Sequence, residues 1–268
     1  MATGGRNGIA LLGRPALSDS LNIFDVTVVG GGVVGCAVAR HLAVHTTARV
    51  ALVEARGDVC SGTSKANTAI LHTGFDAVPG SLESRLVARG YHLLRQWAPI
   101  AGVTVESTGA LLVAWDDEQA EALPTLAAKA AANGYDKAEV VDADTVRRLE
   151  PHLGHGVRGG MLVPDEHIID PWATPLGFVR EAIASGASVL TGFDVSHVEL
   201  AQQPDNPTLL HSIDGSVLRT RFVVNAAGLR GDHLHRMFGQ QGFSIRPRRG
   251  ELIVFDKLAR PLVHRTIL

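Results

Sequence analysis

VTVVGGGVVGCAVARHL, Val26 to Leu42, decides how the chain is read. Apolar and β-branched residues run into glycines at Gly30, Gly32 and Gly35, and a helical pattern follows at once. That order is strand, tight turn, helix, the context a dinucleotide-binding fingerprint needs. Gly30 permits the sharp turn, and the bare backbone at Gly32 lets a pyrophosphate approach. Gly35 lets the helix pack close to the strand. Free N–H groups at the helix start, with the positive end of its dipole, then face phosphates. A second strand, Arg49 to Val53, ends in Glu54, twenty-two positions past the middle glycine. A carboxylate at that spacing accepts hydrogen bonds from a ribose diol and repels a 2′-phosphate.

Composition narrows the alternatives. With 268 residues the chain can hold one large domain or two small ones. Hydrophobic residues make up 46% and charged residues 19%, which suits a globular protein. The net charge of −2 without a basic run argues against nucleic acid as a partner. No apolar run reaches the ~18 residues of a bilayer span. The reading is therefore a cytoplasmic protein without a transmembrane segment, open to peripheral membrane association and silent on oligomeric state. Two cysteines, Cys36 and Cys60, are too few for a disulfide framework and fit a reducing compartment. The stretch 1–21 lacks periodicity and reads as a disordered extension.

Beyond Glu54 a long irregular segment runs from Gly57 to Gly80, and loops of that length are usually functional. Ser81 then caps a helix with an apolar stripe of Leu82, Leu86, Leu93, Leu94 and Trp97. Strands are expected at 103–105 and 109–115, and a helix over 116–133 ended by Gly134. Asp142 caps a short helix. Asp170-Pro171 opens a helix to about Ser185. Strands follow at 188–191, 195–200, 208–213 and 217–224, then a helix near 230–238 and a last strand over 251–255. The nucleotide-binding part is thus interrupted by α+β material and later resumes, so two interleaved domains are expected.

Three motifs together resemble a known family. They are FDVTVVGGGVVGCAVARHL with Glu54, the loop SGTSKANTAILHTG, and VVNAAGLRGDHL from Val223 to Leu234. The pattern is similar to the FAD-dependent oxidoreductases that include D-amino acid oxidase, glycerol-3-phosphate dehydrogenase and L-2-hydroxyglutarate oxidase. The likeness is strongest to the glycerol-3-phosphate dehydrogenase-like and L-2-hydroxyglutarate oxidase-like members. The resemblance implies an α/β fold: a Rossmann-like FAD-binding domain built from 22–100 and 170–240. An inserted α+β substrate domain would comprise 101–169 and 241–268. It implies FAD as cofactor, with Gly30, Gly32 and Gly35 at the pyrophosphate and Glu54 at the adenosine ribose. Thr63 and Ser64 would line the diphosphate or flavin side, and Val195 would meet the adenine through its backbone. Ala227 and Gly228 would let the chain pass close to the cofactor, where bulk should clash. It also implies that complete members extend well past the position of Leu268, so the chain is expected to be C-terminally truncated.

The chemistry implied is hydride transfer from an alcohol or amine carbon of a small anionic substrate, of glycerol 3-phosphate or 2-hydroxy-acid type, to flavin. Proton loss from the O–H or N–H needs a base, and histidine suits it. His72, ending the loop that the resemblance sets beside the flavin ring, is the candidate; orienting the flavin is its alternative role. Arg249, in RRGE, is the candidate anchor for the substrate anion, and Lys65 a second one. Asp165-Glu166 reads as solvated charge. No metal site is expected, because His152 and His155 lack cysteine or carboxylate partners at ligand spacing, and His233 and His235 lie on opposite sides of a helix start. The alternative to an enzyme is a truncated nucleotide-binding remnant with weak or no catalysis.

Overall fold

A computed structural model describes residues 23–203 and 205–268. The stretch 1–21, read above as a disordered extension, lies outside the described residues. The first half of the chain carries β1 (Ile23–Val29), α1 (Val33–His45), β2 (Val50–Glu54), β3 (Ile70–Leu71), α2 (Leu82–Ala101), β4 (Val105–Glu106), β5 (Ala110–Ala114) and α3 (Asp117–Ala132). There follow β6 (Glu139–Asp142), α4 (Ala143–Leu149), β7 (Gly159–Val163), β8 (His167–Ile169), α5 (Ala173–Ala184), β9 (Ser188–Thr191), β10 (Val195–Glu199), β11 (Thr208–Ser212), β12 (Val217–Asn225), α6 (Gly231–Met237) and β13 (Thr266–Ile267).

Two compact units divide these elements. The first comprises Met1–Lys65 and Phe178–Arg248, the second Ala66–Gly177 and Arg249–Leu268. The divisions therefore fall earlier than the sequence suggested at the first crossing. Helix α2 and the second half of the long loop lie in the second unit rather than with the nucleotide-binding part.

The first unit is built on a six-stranded sheet of order β10-β11-β12-β1-β2-β9. Strands β12, β1, β2 and β9 run parallel, and β11 and β10 extend the sheet antiparallel. Residues Val50 to Val53 are all buried, as a parallel strand covered on both faces demands. Val29, Ala51, Val53, Phe193, Leu210 and Leu234 form the core on one side. Helix α1 is the crossover that a parallel β1–β2 pair requires.

The second unit holds a four-stranded sheet, β13-β5-β7-β6, and a three-stranded one, β3-β8-β4. Helix α2 starts at Ser81, whose Oγ accepts from Ser84 N at 3.1 Å, and stops at Gly102 in the left-handed conformation. Its inward residues are Leu94, Trp97, Ala98 and Ala101. Leu82, Leu86 and Leu93, expected on the same stripe, are exposed. The buried face centres instead on Tyr91, Leu94 and Ala98, at the 3–4 spacing of one helix face. Buried Glu150 accepts from His264 N at 2.9 Å and lies 3.4 Å from the Arg265 guanidinium, tying down the approach to β13.

The strand expected over 251–255 does not form. Those residues have no regular structure, and Ile253, Val254 and Phe255 are 80%, 91% and 75% exposed. An apolar run becomes a strand only when another strand takes its N–H and C=O groups, and among the described residues none does.

Candidate functional site

The turn between β1 and α1 is fixed by what a Cβ would strike. A methyl group on Gly30 would sit 2.3 Å from the Ala226 carbonyl oxygen, and Gly30 has φ of +112°. On Gly35 it would sit 1.8 Å from the Gly30 carbonyl oxygen. Both glycines are thus dictated by the chain's own packing. Gly30 N donates to Val53 O at 2.8 Å, and Ala226 N to Val29 O at 2.9 Å, so β2 and β12 brace the turn.

Gly32 differs. A Cβ there would meet only the Ser64 hydroxyl, at 3.1 Å. As the N-cap of α1 it has no side chain with which to cap the helix, and no acidic residue stands in the first turn. The helix start therefore presents N–H groups to an open face. Ser64 Oγ accepts from Val33 N at 2.9 Å, which puts a hydroxyl at the rim of that face; Thr63 begins the same short 3-10 turn.

Glu54 ends β2. Its Oε2 accepts from Gly31 N at 2.7 Å and its Oε1 from Arg56 N at 2.9 Å. A carboxylate has about four lone-pair sites, so acceptor capacity remains for hydroxyl donors. Phe193 N donates to the Glu54 carbonyl at 2.9 Å, setting Val195 two residues from the end of β2. The Gly31 carbonyl takes Cys60 N at 2.8 Å and the thiols of Cys36 and Cys60 at 3.3 and 3.5 Å. Hydrogen bonding with the Cys60 thiol and burial push the Cys36 thiol up.

Ala227 and Gly228 follow β12. Asn225 holds this corner, accepting from Ala227 N at 3.2 Å and donating to Gly231 O at 2.7 Å. The expected clash at Gly228 is not with the protein: a Cβ there has open space, and its constraint is a φ of +55°. The close approach lies one step earlier, where Gly30 meets Ala226 and Ala227.

In the second unit His72 sits just past β3, half-buried. Its Nδ1 lies 3.0 Å from Glu166 Oε2, at ion-pair distance but off the line of a hydrogen bond. Glu166 Oε1 accepts from Thr73 N at 2.6 Å and Thr73 Oγ1 at 2.7 Å. Glu166 is 0% exposed, so the solvated reading of Asp165-Glu166 is wrong for this residue. Pairing of β3 with β8, with Leu71 opposite His167, carries the loop end across to the β7–β8 turn and shuts Glu166 in. Asp165 is the outer member and pairs with Lys137 Nζ at 2.8 Å. Glu166 raises the His72 imidazole above its ordinary value, against the opposing effect of burial. Burial lowers neighbouring His167, helped by Arg95.

Arg249 pairs with its near neighbour in sequence. Its guanidinium is 88% exposed and lies 3.3 Å from Glu251. An apolar recess of about 380 Å³ against β5 and α3, lined by Leu112, Trp115, Leu126 and Leu268, holds none of the expected site residues.

Comparison with known proteins adds ancestry to this geometry. The model of the FAD dependent oxidoreductase family matches residues 25–267. The chain belongs to that family. It is 30% identical over 245 residues to a glycerol 3-phosphate dehydrogenase of Caloramator mitchellensis, covering 91% of this chain and 50% of the relative. To the mitochondrial L-2-hydroxyglutarate dehydrogenase of Homo sapiens it is 29% identical over 233 residues, covering 83% and 50%. Among solved structures, the FAD-bound L-alpha-glycerophosphate oxidase of Mycoplasma pneumoniae superposes with a TM-score of 0.74 at 25% identity, over 81% of this chain and 57% of that one. Glycine oxidase of Geobacillus kaustophilus gives 0.73 at 22% identity, over 82% and 59%, which speaks to the fold alone. The α/β fold with a parallel sheet is that of these FAD-dependent oxidoreductases. The chain spans about half the length of the curated relatives it matches. No helix among the described residues is long and apolar enough to cross a membrane.

Proposed function

We infer that the first unit binds FAD and that the chain takes part in oxidising an alcohol or amine carbon of a small anionic substrate, of the glycerol 3-phosphate or 2-hydroxy-acid type. The observation that carries this reading is the open face over Gly32, where the helix start has no acidic residue and only the Ser64 hydroxyl at its rim, with Glu54 beside it at the end of β2. The residues present fit a dinucleotide: N–H groups and a helix dipole suit a diphosphate, and a carboxylate with spare acceptor sites suits a ribose diol. Gly30, Gly32, Gly35, Thr63 and Ser64 would border the diphosphate. Glu54 would take the ribose hydroxyls, Val195 would offer backbone to the adenine, and Ala227 with Gly228 would pass close to the cofactor.

Bound FAD would supply a two-electron acceptor. His72 would take the proton released from the substrate O–H or N–H, a role its ring suits near neutral pH. Arg249 would anchor the substrate anion; an exposed ion pair such as that with Glu251 is weak, so exchanging partners costs little. The names of the relatives, glycerol 3-phosphate and L-2-hydroxyglutarate dehydrogenases, support an anionic substrate. Two free buried thiols, Cys36 and Cys60, support a reducing compartment such as the cytoplasm.

The test is to add FAD to the purified chain and then, without oxygen, glycerol 3-phosphate or L-2-hydroxyglutarate. A retained flavin spectrum that bleaches with either compound is expected. A chain that takes up no FAD refutes the reading. A chain that holds FAD unbleached fits a second one, a nucleotide-binding protein without turnover, which the unpaired apolar run Leu252–Phe255 favours.

A further inference from the structure

Glu166 is the group in the second unit whose placement the reading above leaves unused. A fully buried carboxylate is costly unless donors and a counter-charge meet it. Here Thr73 supplies the donors, and the adjacent His72 an imidazole that becomes the counter-charge once it takes up a proton. Thr73 gives its backbone N–H and its hydroxyl to Oε1, which fixes the carboxylate's rotation. That rotation turns Oε2 toward His72 Nδ1, 3.0 Å away. Such a carboxylate favours a proton on the nearer ring nitrogen and leaves the farther one with its lone pair.

We propose that Glu166 is the positioning residue for His72: it holds the neutral ring in its Nδ1–H form and leaves Nε2 as the proton acceptor. This rests on His72 being the base of the proposed reaction. In the step itself the substrate O–H or N–H bond breaks and an Nε2–H bond forms. The ring becomes an imidazolium that keeps its Nδ1 proton, and Glu166 remains a carboxylate whose charge faces the new cation. Other charged and titratable groups act on the same pair. Asp76 acts on His72 in the same sense as Glu166. Glu166 also acts on His167, Tyr135 and Tyr91 of α2, and Asp165, Lys137 and Arg95 of α2 act on members of that same group. Burial pushes Tyr135 up to about 12 and raises Tyr91, so both stay neutral through the range in which His72 titrates. The Glu166 contact is the first cause of the His72 shift.

The experiment is NMR of the chain labelled at histidine nitrogen and carbon, without cofactor, with His72→Gln to assign the signal. In the unmodified protein above the His72 titration, the ring should carry its proton on Nδ1. In Glu166→Gln the His72 titration should move down by about one pH unit or more. A neutral ring protonated on Nε2 overturns the proposal even if Glu166→Gln fails to fold, and so does an unmoved titration in a folded variant. Where the unmodified chain bleaches with substrate, Glu166→Gln should slow bleaching at neutral pH and move its rise with pH to lower pH, with FAD retention unchanged. An unmoved profile also overturns the proposal. No FAD uptake beside the expected NMR result refutes the proposed function and leaves the Glu166–His72 arrangement standing.

Discussion

At Gly35 a single methyl group would be forced to within 1.8 Å of the Gly30 carbonyl oxygen, a backbone atom that cannot swing aside. Gly35→Ala should therefore cost stability at the level of overpacking, about 1–3 kcal/mol or more, read by denaturant unfolding. Gly32→Val tests something else. Only the Ser64 hydroxyl is near, so the fold should survive while FAD retention is lost, because the added bulk fills the open face. A Gly32→Val chain that unfolds, or that keeps a full flavin complement, contradicts the assignment of that face to the diphosphate. His72→Ala should lower the rate of flavin reduction far more than it weakens FAD binding. General-base removal commonly costs about 10²–10⁴-fold, and equal reduction rates in the two proteins would take His72 out of the chemistry.

Helix α3 shows how well local signals work. Asp116 Oδ1 accepts from Gln119 N at 2.8 Å, and Gln119 Oε1 accepts in return from Trp115 N at 2.7 Å. Asp116→Ala removes the cap and should cost about 1 kcal/mol in chemical unfolding. Ser81, Asp116, Asp142 and Asp170 marked helix starts in the sequence because their short oxygen-bearing side chains serve backbone amides a few residues away. The apolar run of β2 was legible for a similar reason, since burial on both faces leaves no polar alternation to confuse. Legibility fails where partners are distant. Strands β3 and β8 have two and three residues, too short for a periodic pattern, yet their pairing buries Glu166. Thr73 and Glu166 stand 93 positions apart, and no spacing rule links them. In the candidate cofactor site the glycines and Glu54 could be read from one local pattern. The thiols gathered on the Gly31 carbonyl could not, because Cys60 is brought there by a loop.

At the scale of the whole molecule there is an apolar run that no strand among the described residues takes up. Leu252, Ile253, Val254 and Phe255 lie exposed in sequence, a patch that favours self-association. Replacing Ile253 and Phe255 by lysine should reduce light scattering of the purified chain and change unfolding free energy by no more than about 0.5 kcal/mol per site. A large loss of stability would mean that the run packs against something in solution. The sheet of the first unit has a different consequence, one of timing. Strand β1 lies between β2 and β12, with Ile23 level with Arg219. At about 5–20 residues per second, a ribosome needs on the order of 10–40 s after making β1 before its far neighbour exists. Through that interval the growing polypeptide bears a hydrogen-bonding flank without its native partner. A message cut short of codon 217 would leave that flank uncovered for good.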